Sequence, residues 1–230
     1  MLILAIDTST QAGSVAILRD TSIWGVVSTC VEETYSSRMF RQLDFLRKEL
    51  NVEMAHFDLY TVATGPGSFT GLRVGLKAVK GWAEVYQRPI APVSGLEAIA
   101  GQAHARSTVL VPVLDARRGQ VFGGIYERTE RGLRLHGDEV VMAPEEFLSY
   151  VGESLRGADF AFVTPTPEIV AHAVAESPLA GRPVEVVSTV LAPVIGILGG
   201  LRALRGDVVD SVHLDANYVR RSDAELMWKG

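Results

Sequence analysis

The segment Gly71–Tyr86 holds its charged side chains, Arg73, Lys77, Lys80 and Glu84, within an arc of about 60° when projected as a helix at 100° per residue. The remaining ~300° of circumference is apolar or small and includes Gly71, Gly75, Ala78, Val79, Trp82 and Ala83. A surface helix normally buries one stripe, and the sheet beneath it covers one side only. This helix therefore asks for cover on a second side, from another domain or another polypeptide. Gly71, Gly75 and Ala78 are small enough to let a second element approach closely.

The helix expected before it, SSRMFRQLDFLRKEL, repeats Met39, Leu43, Leu46 and Leu50 at helical spacing behind a Ser36/Ser37 cap. Phe45 then projects among Arg41, Lys48 and Glu49. A lone exposed aromatic is common, but beside a helix that lacks cover it is also a candidate anchor, because buried aromatics dominate interface energetics. The expected partner surface comprises Phe40, Phe45, Gly71, Gly75, Ala78, Val79 and Trp82.

Ahead of these helices stand three strand-like runs, Leu2–Ile6, Ser14–Leu18 and Ile23–Val31, joined by turns short enough to force an antiparallel meander. Leu59–Ala63 reads as a buried strand, so the chain opens β-β-β-α-β-α. The second half shows strands at Leu110–Asp115, Gln120–Tyr126, Leu133–Val141, Phe160–Val163 and Val184–Val187. A helix starts at Pro144, and a glycine-interrupted one spans Ala192–Arg205. These runs predict an α/β chain with a first lobe at 1–105, a smaller lobe at 106–208, and a segment 209–230 packing back on the first.

A net charge of −5 over 230 residues argues against wrapping a polyanion, since nonspecific nucleic-acid affinity comes mainly from cations on phosphates. The single Cys30 excludes an internal disulfide and fits a reducing compartment. The apolar start MLILAI is too short for a signal peptide, and the longest apolar run, Val190–Leu201, is broken by Pro193 and glycines. A cytoplasmic location with no membrane contact is expected.

Two segments can carry phosphate chemistry. Asp7, Thr8 and Ser9 follow the first strand; such a turn either holds a hydrated cation and phosphate oxygens or simply ends the strand by bonding its own backbone. Gly65–Gly71, GPGSFTG, leads into a helix N-terminus that favours anions. Its other reading has Gly65 and Gly67 forming a tight turn, Ser68 or Thr70 capping, and Gly71 permitting close backbone approach. It is not a Walker A loop, because Gly71 is followed by Leu72-Arg73 rather than Lys-Ser/Thr. Asp115 in LDARRG can pair across a cleft with Asp7 around magnesium, or stand at the entry to a hairpin. No two histidines lie at i, i+3 or i, i+4 and no GxSxG elbow occurs, so no metal site and no catalytic constellation is expected.

Four pieces, LAIDTST at 4–10, TGPGSFTGLRVGLKAVKGWA at 64–83, LDARRGQVFGGIY at 114–126 and LDANYVRR at 214–221, resemble the TsaB (YeaZ) family of bacterial tRNA-modification proteins along nearly the whole chain. The resemblance implies a two-lobed ASKHA fold (actin, sugar kinase, Hsp70-like), each lobe an RNase H-like mixed sheet with helices. It also implies a noncatalytic scaffold with no cofactor for a TsaD-like subunit, which transfers threonylcarbamoyl to adenine 37 of tRNAs reading ANN codons. A TsaE-like ATPase joins that complex, and tRNA is met only through it; without a partner, the apolar face of Gly71–Tyr86 can instead self-associate as a two-fold dimer, because an isologous contact closes, and the residues leave dimer and monomer both open. Under the resemblance Asp7, Thr8, Ser9, Gly65, Gly67, Ser68, Thr70 and Asp115 are degenerate phosphate motifs. Tyr35 stands where the family commonly has His, and Gln120 where many members carry an acid. The competing reading is an active ASKHA ATPase or small-molecule kinase, with GILGG at 196–200 as its adenosine loop; a peptidase ranks below both.

Overall fold

The computed structural model describes residues 1–31 and 34–220. In chain order the elements are β1 (Leu2–Asp7), β2 (Ser14–Arg19), β3 (Ser22–Ser28), α1 (Tyr35–Glu49), β4 (Leu59–Ala63), α2 (Phe69–Tyr86), β5 (Ile90–Val93) and α3 (Gly95–Ala100). There follow β6 (Val109–Arg117), β7 (Gln120–Gly123), β8 (Tyr126–Thr129), β9 (Gly132–Leu135), β10 (Val140–Met142), α4 (Pro144–Ser154), β11 (Phe160–Thr164), α5 (Ala171–Ala175), β12 (Val184–Val186) and α6 (Ala192–Leu204). Two units form, Met1–Ala98 with Thr189–Tyr218, and Ile99–Ser188 with Val219 and Arg220.

The first unit is a five-stranded sheet in the order β3-β2-β1-β4-β5, with the meander antiparallel and β1, β4 and β5 parallel. Period-2 alternation divides its side chains between two layers. Leu4, Ile6, Val15, Ile17, Tyr60 and Val62 meet α1 and α2 through Met39, Leu43, Leu46, Leu72, Leu76 and Val79. On the other face Ile3, Ala5, Leu18 and Thr61 meet α6, which seats itself through glycines. A Cβ on Gly196 would lie 2.3 Å from Leu18 Cδ1, and one on Gly199 would lie 2.2 Å from Thr61 Cγ2.

This seating corrects the expected lobe boundary. Residues 189–208 were assigned by their sequence order to the second lobe, yet α6 belongs to the first unit, because its glycine ridge fits the bare back of that sheet. Of the expected segment 209–230, Val209 bridges Ile90, and the Asn217 amide donates to the Thr64 carbonyl at 2.8 Å. Residues 221–230 lie outside the described residues.

The second unit is a seven-stranded sheet in the order β10-β7-β6-β11-β12, with β8 on β6 and β9 on β8. The expected strand Gln120–Tyr126 is broken at Gly124–Ile125, so that β7 pairs with β10 while β8 pairs with β6 and β9. At Gly123, the last residue of β7, the Phe147 ring of α4 occupies the side-chain position, with Cζ 2.2 Å from where a Cβ would stand. Among the described residues no helix is long and apolar enough to cross a membrane.

Gly199→Val tests the α6 seat. Both γ-methyls would overlap Thr61 and Ala91, so the variant should lose about 2–3 kcal/mol and unfold roughly 5–10 °C lower in a thermal melt. An unchanged melt would mean that α6 does not rest on its glycines.

Candidate functional site

The turn after β1 is closed by its own chain. Asp7 is 1% exposed; its Oδ1 accepts from the Ser9 amide at 2.8 Å and the Ser9 hydroxyl at 2.6 Å, and its Oδ2 accepts from Thr10 Oγ1 at 3.1 Å. Burial pushes the Asp7 carboxyl up from 3.8, against the opposing pull of the Ser9 and Thr10 hydrogen bonds and the Arg38 charge. Over this turn lies the glycine loop. The Ser68 amide donates to the Ser9 carbonyl at 2.7 Å, and Thr8 Oγ1 donates to the Gly71 carbonyl at 2.7 Å. A Cβ would fall 2.4 Å from Ser9 O at Gly67, 1.9 Å from Thr8 O at Gly71 and 2.4 Å from Thr8 Oγ1 at Gly75.

Of the two readings of GPGSFTG, the structure supports close backbone approach. Gly65 (φ 123°) abuts the Asn217 carbonyl, Ser68 Oγ caps α2 by accepting the Gly71 amide at 3.2 Å, and Thr70 is exposed. Asp7, Thr8, Ser9, Gly65, Gly67, Ser68 and Thr70 are thus one cluster in the first unit. Asp115 belongs to the second, where its Oδ1 accepts the Arg117 amide at 2.7 Å. GILGG at 196–200 is the glycine ridge of α6 rather than a loop. Tyr35 opens α1 with its ring beside Gly71, and Gln120 accepts from Arg220 at 2.6 Å.

The expected partner surface is corrected on the same contacts. Gly71, Gly75 and Val79 are buried within their own unit; the two glycines admit the Thr8 backbone and side chain, not a second polypeptide. Ala78 and Trp82 are half-buried, and Phe40 and Phe45 stand exposed. Phe40 meets Trp82 edge-on with centroids 6.0 Å apart, and Trp82 in turn meets Tyr60 at 6.1 Å. Phe45 lies about 140° around α1 from Phe40, on the flank away from α2.

On α2 the row Val74, Ala78, Gly81 and Val85 runs from half-buried Val74 and Ala78, which pack against the core, to exposed Gly81 and Val85, the last 73% exposed. Their spacing of four, three and four residues is that of a coiled-coil seam. Ala78 belongs to the expected surface, whereas Val74, Gly81 and Val85 do not; the small residues 71 and 75 centre that expectation on an arc about 60–80° away. The heptad spacing was the available signal.

The family model of tRNA N6-adenosine threonylcarbamoyltransferase (TsaD) matches residues 13–202. The tRNA threonylcarbamoyladenosine biosynthesis protein TsaB of Bacillus subtilis (strain 168) is 35% identical over 127 residues, 55% of this chain and 56% of that protein. TsaB of Escherichia coli (strain K12) is 33% identical over 149 residues, 63% of this chain and 64% of that protein. The chain thus spans somewhat over half the length of these curated relatives. A crystal structure of a Pseudomonas aeruginosa protein described as similar to the peptidase YeaZ superposes with a TM-score of 0.79 at 29% identity, covering 95% of this chain and 99% of that one.

Two variants separate seat from surface. Gly71→Ala drives a methyl into the Thr8 carbonyl and should cost about 3 kcal/mol, whereas Gly81→Ala, with nothing within 4 Å of its Cβ, should gain up to ~1 kcal/mol from helix propensity. Chemical denaturation of both checks this, and equal effects would contradict the seat. The Asp7 carboxyl, raised above 3.8 by burial, holds its proton more tightly folded than unfolded. Wild type should therefore lose stability relative to Asp7→Asn as pH rises from 3.8; a gain instead would show that the hydrogen bonds outweigh burial.

With the family model matching most of the chain and this fold-level superposition, the fold is of the ASKHA class, and the chain belongs to the TsaB (YeaZ) branch of the TsaD-related family.

Proposed function

We propose that this chain is a noncatalytic subunit of the machinery that forms N6-threonylcarbamoyladenosine at position 37 of tRNAs reading ANN codons, and that it binds a TsaD-like catalytic subunit through the α1–α2 face. The observation that carries this is the small and apolar row Val74, Ala78, Gly81 and Val85, half-buried at its first two residues and exposed at its last two, beside the Phe40–Trp82 pair. An apolar seam at heptad spacing fits a helix of the partner, with Phe40 and Trp82 as aromatic anchors. A TsaE-like ATPase joins the assembly, and tRNA is met through the complex. That the Bacillus subtilis and Escherichia coli relatives are tRNA threonylcarbamoyladenosine biosynthesis proteins supports the pathway.

The ATPase reading asks Asp7 to present a carboxylate to a hydrated cation. Its oxygens are instead taken up by Ser9 and Thr10, under a glycine loop that leaves it 1% exposed.

Val85→Asp and Phe40→Asp alter exposed positions and should leave the fold within about 0.5 kcal/mol. Each should reduce co-purification with the TsaD-like subunit at least ~10-fold and fail to restore threonylcarbamoyladenosine in tRNA nucleosides of cells depleted of this protein. Phe45→Asp, on the far flank of α1, should behave as wild type in both assays. Wild-type capture by both seam variants would remove the interface assignment.

A further inference from the structure

A cavity of about 560 Å³ lies at the foot of the first unit's sheet, on the α1 side, between the end of that helix and the start of β1. Its size falls within the ~300–1,000 Å³ of small-molecule sites. Arg19 and Asp58 both line it, and the sheet dictates how they stand. Leu2 pairs with Arg19 on one side; on the other its carbonyl accepts from the Asp58 amide at 2.9 Å and its amide donates to Asp58 Oδ2 at 2.7 Å. The two residues thus flank β1 two strand spacings apart, about 10 Å between Cα atoms. Among the described residues neither forms an ion pair. The Met1 ammonium, also at the cavity, is taken by Asp20 at 2.8 Å.

The Arg19 guanidinium is held over the Trp24 ring, 4.0 Å from its centroid, a cation–π contact that fixes its position. A bulge brings the indole there. Gly25 pairs with Ile17 and Ile23 with Leu18, so Trp24 is the extra residue of β3, and bulges re-aim side chains in this way. A Cβ on Gly25 would lie 2.8 Å from Leu46 and 3.3 Å from Leu50, so this stretch faces α1, and Trp24 lines the cavity beside Leu50. Leu2 and Val52, both buried core residues, give the cavity an apolar floor. His56 Nδ1 accepts from the Glu53 amide at 3.1 Å, which leaves its Nε2–H as a further donor.

We propose that this cavity binds a free amino acid with a large apolar side chain. The ligand's carboxylate accepts from Arg19, its ammonium donates to Asp58 Oδ1, and its side chain lies along Trp24 and Leu50 over the Leu2–Val52 floor. The spacing of the charges carries the assignment. Two hydrogen bonds of ~2.8 Å taken from ~10 Å leave about 4 Å, close to the separation of the charged groups of one amino acid. A dipeptide, longer by a further ~3.5 Å, overshoots it. An anion without an ammonium would leave Asp58 unpaired against the ligand, and an amine without a carboxylate would leave Arg19 so; either costs affinity.

Saturation-transfer NMR titration of the full chain with L-phenylalanine, carried to ~20 mM, tests the assignment. Saturable binding with a Kd of about 1 mM or tighter is expected. 3-Phenylpropionate, which lacks the ammonium, and phenethylamine, which lacks the carboxylate, should each bind at least ~10-fold more weakly. Asp58→Asn keeps an oxygen for the Leu2 amide and should abolish the preference for L-phenylalanine over 3-phenylpropionate. Arg19→Gln should abolish the preference over phenethylamine, with circular dichroism reporting on the fold of both variants. No saturation of the wild type would overturn the proposal. So would wild-type binding of either analogue as tight as that of L-phenylalanine, or a folded variant that keeps the preference it should lose.

Discussion

Backbone meets backbone where α2 begins, and most of the first unit follows from that approach. The Gly71 Cα stands so close to the Thr8 carbonyl that any Cβ would fall within 1.9 Å of it, and Thr8 Oγ1 fastens the contact by donating to the Gly71 carbonyl. Ser9 is held in the same way by the Ser68 amide. These contacts fix the start of α2 against the end of β1. That sets which arc of the helix meets the sheet and, by difference, which arc is left to solvent.

Glycine is used the same way on the back of the sheet. Gly196, Gly199 and Gly200 let α6 lie directly on Leu18, Thr61 and Ile3, at a cost of about 0.5–1 kcal/mol each in helix propensity. Both helical layers are thus seated by glycines pointing inward, and their larger apolar side chains, Val85 on α2 and Leu201 and Leu204 on α6, are turned outward. The turn at Asp7 serves as the anvil on which α2 is set.

Much of this was legible in the sequence. The β-β-β-α-β-α order and the core positions of α1 follow from period and turn chemistry, and the family resemblance from four motifs read directly from the residues. The excess apolar circumference of α2 was legible too, but not its direction. Gly71 and Gly75 look alike whether they admit a foreign helix or a neighbouring carbonyl, since the missing Cβ leaves no sign of what approaches it. The placement of α6 was hidden for a related reason: a glycine-interrupted, largely apolar run does not say which sheet, near or distant in sequence, its glycines fit. The split of Gln120–Tyr126 into two strands shows in their partners, β10 for one and β9 for the other, a tertiary arrangement that local propensity does not contain.

The central claim is that the turn at residues 7–10 is a structural seat and not a phosphate site. Calorimetric titration of the full chain with ATP and magnesium, carried to millimolar ligand, tests it most directly. The account predicts no saturable heat in the wild type. Sub-millimolar binding that disappears in a folded Asp7→Ala variant would contradict it.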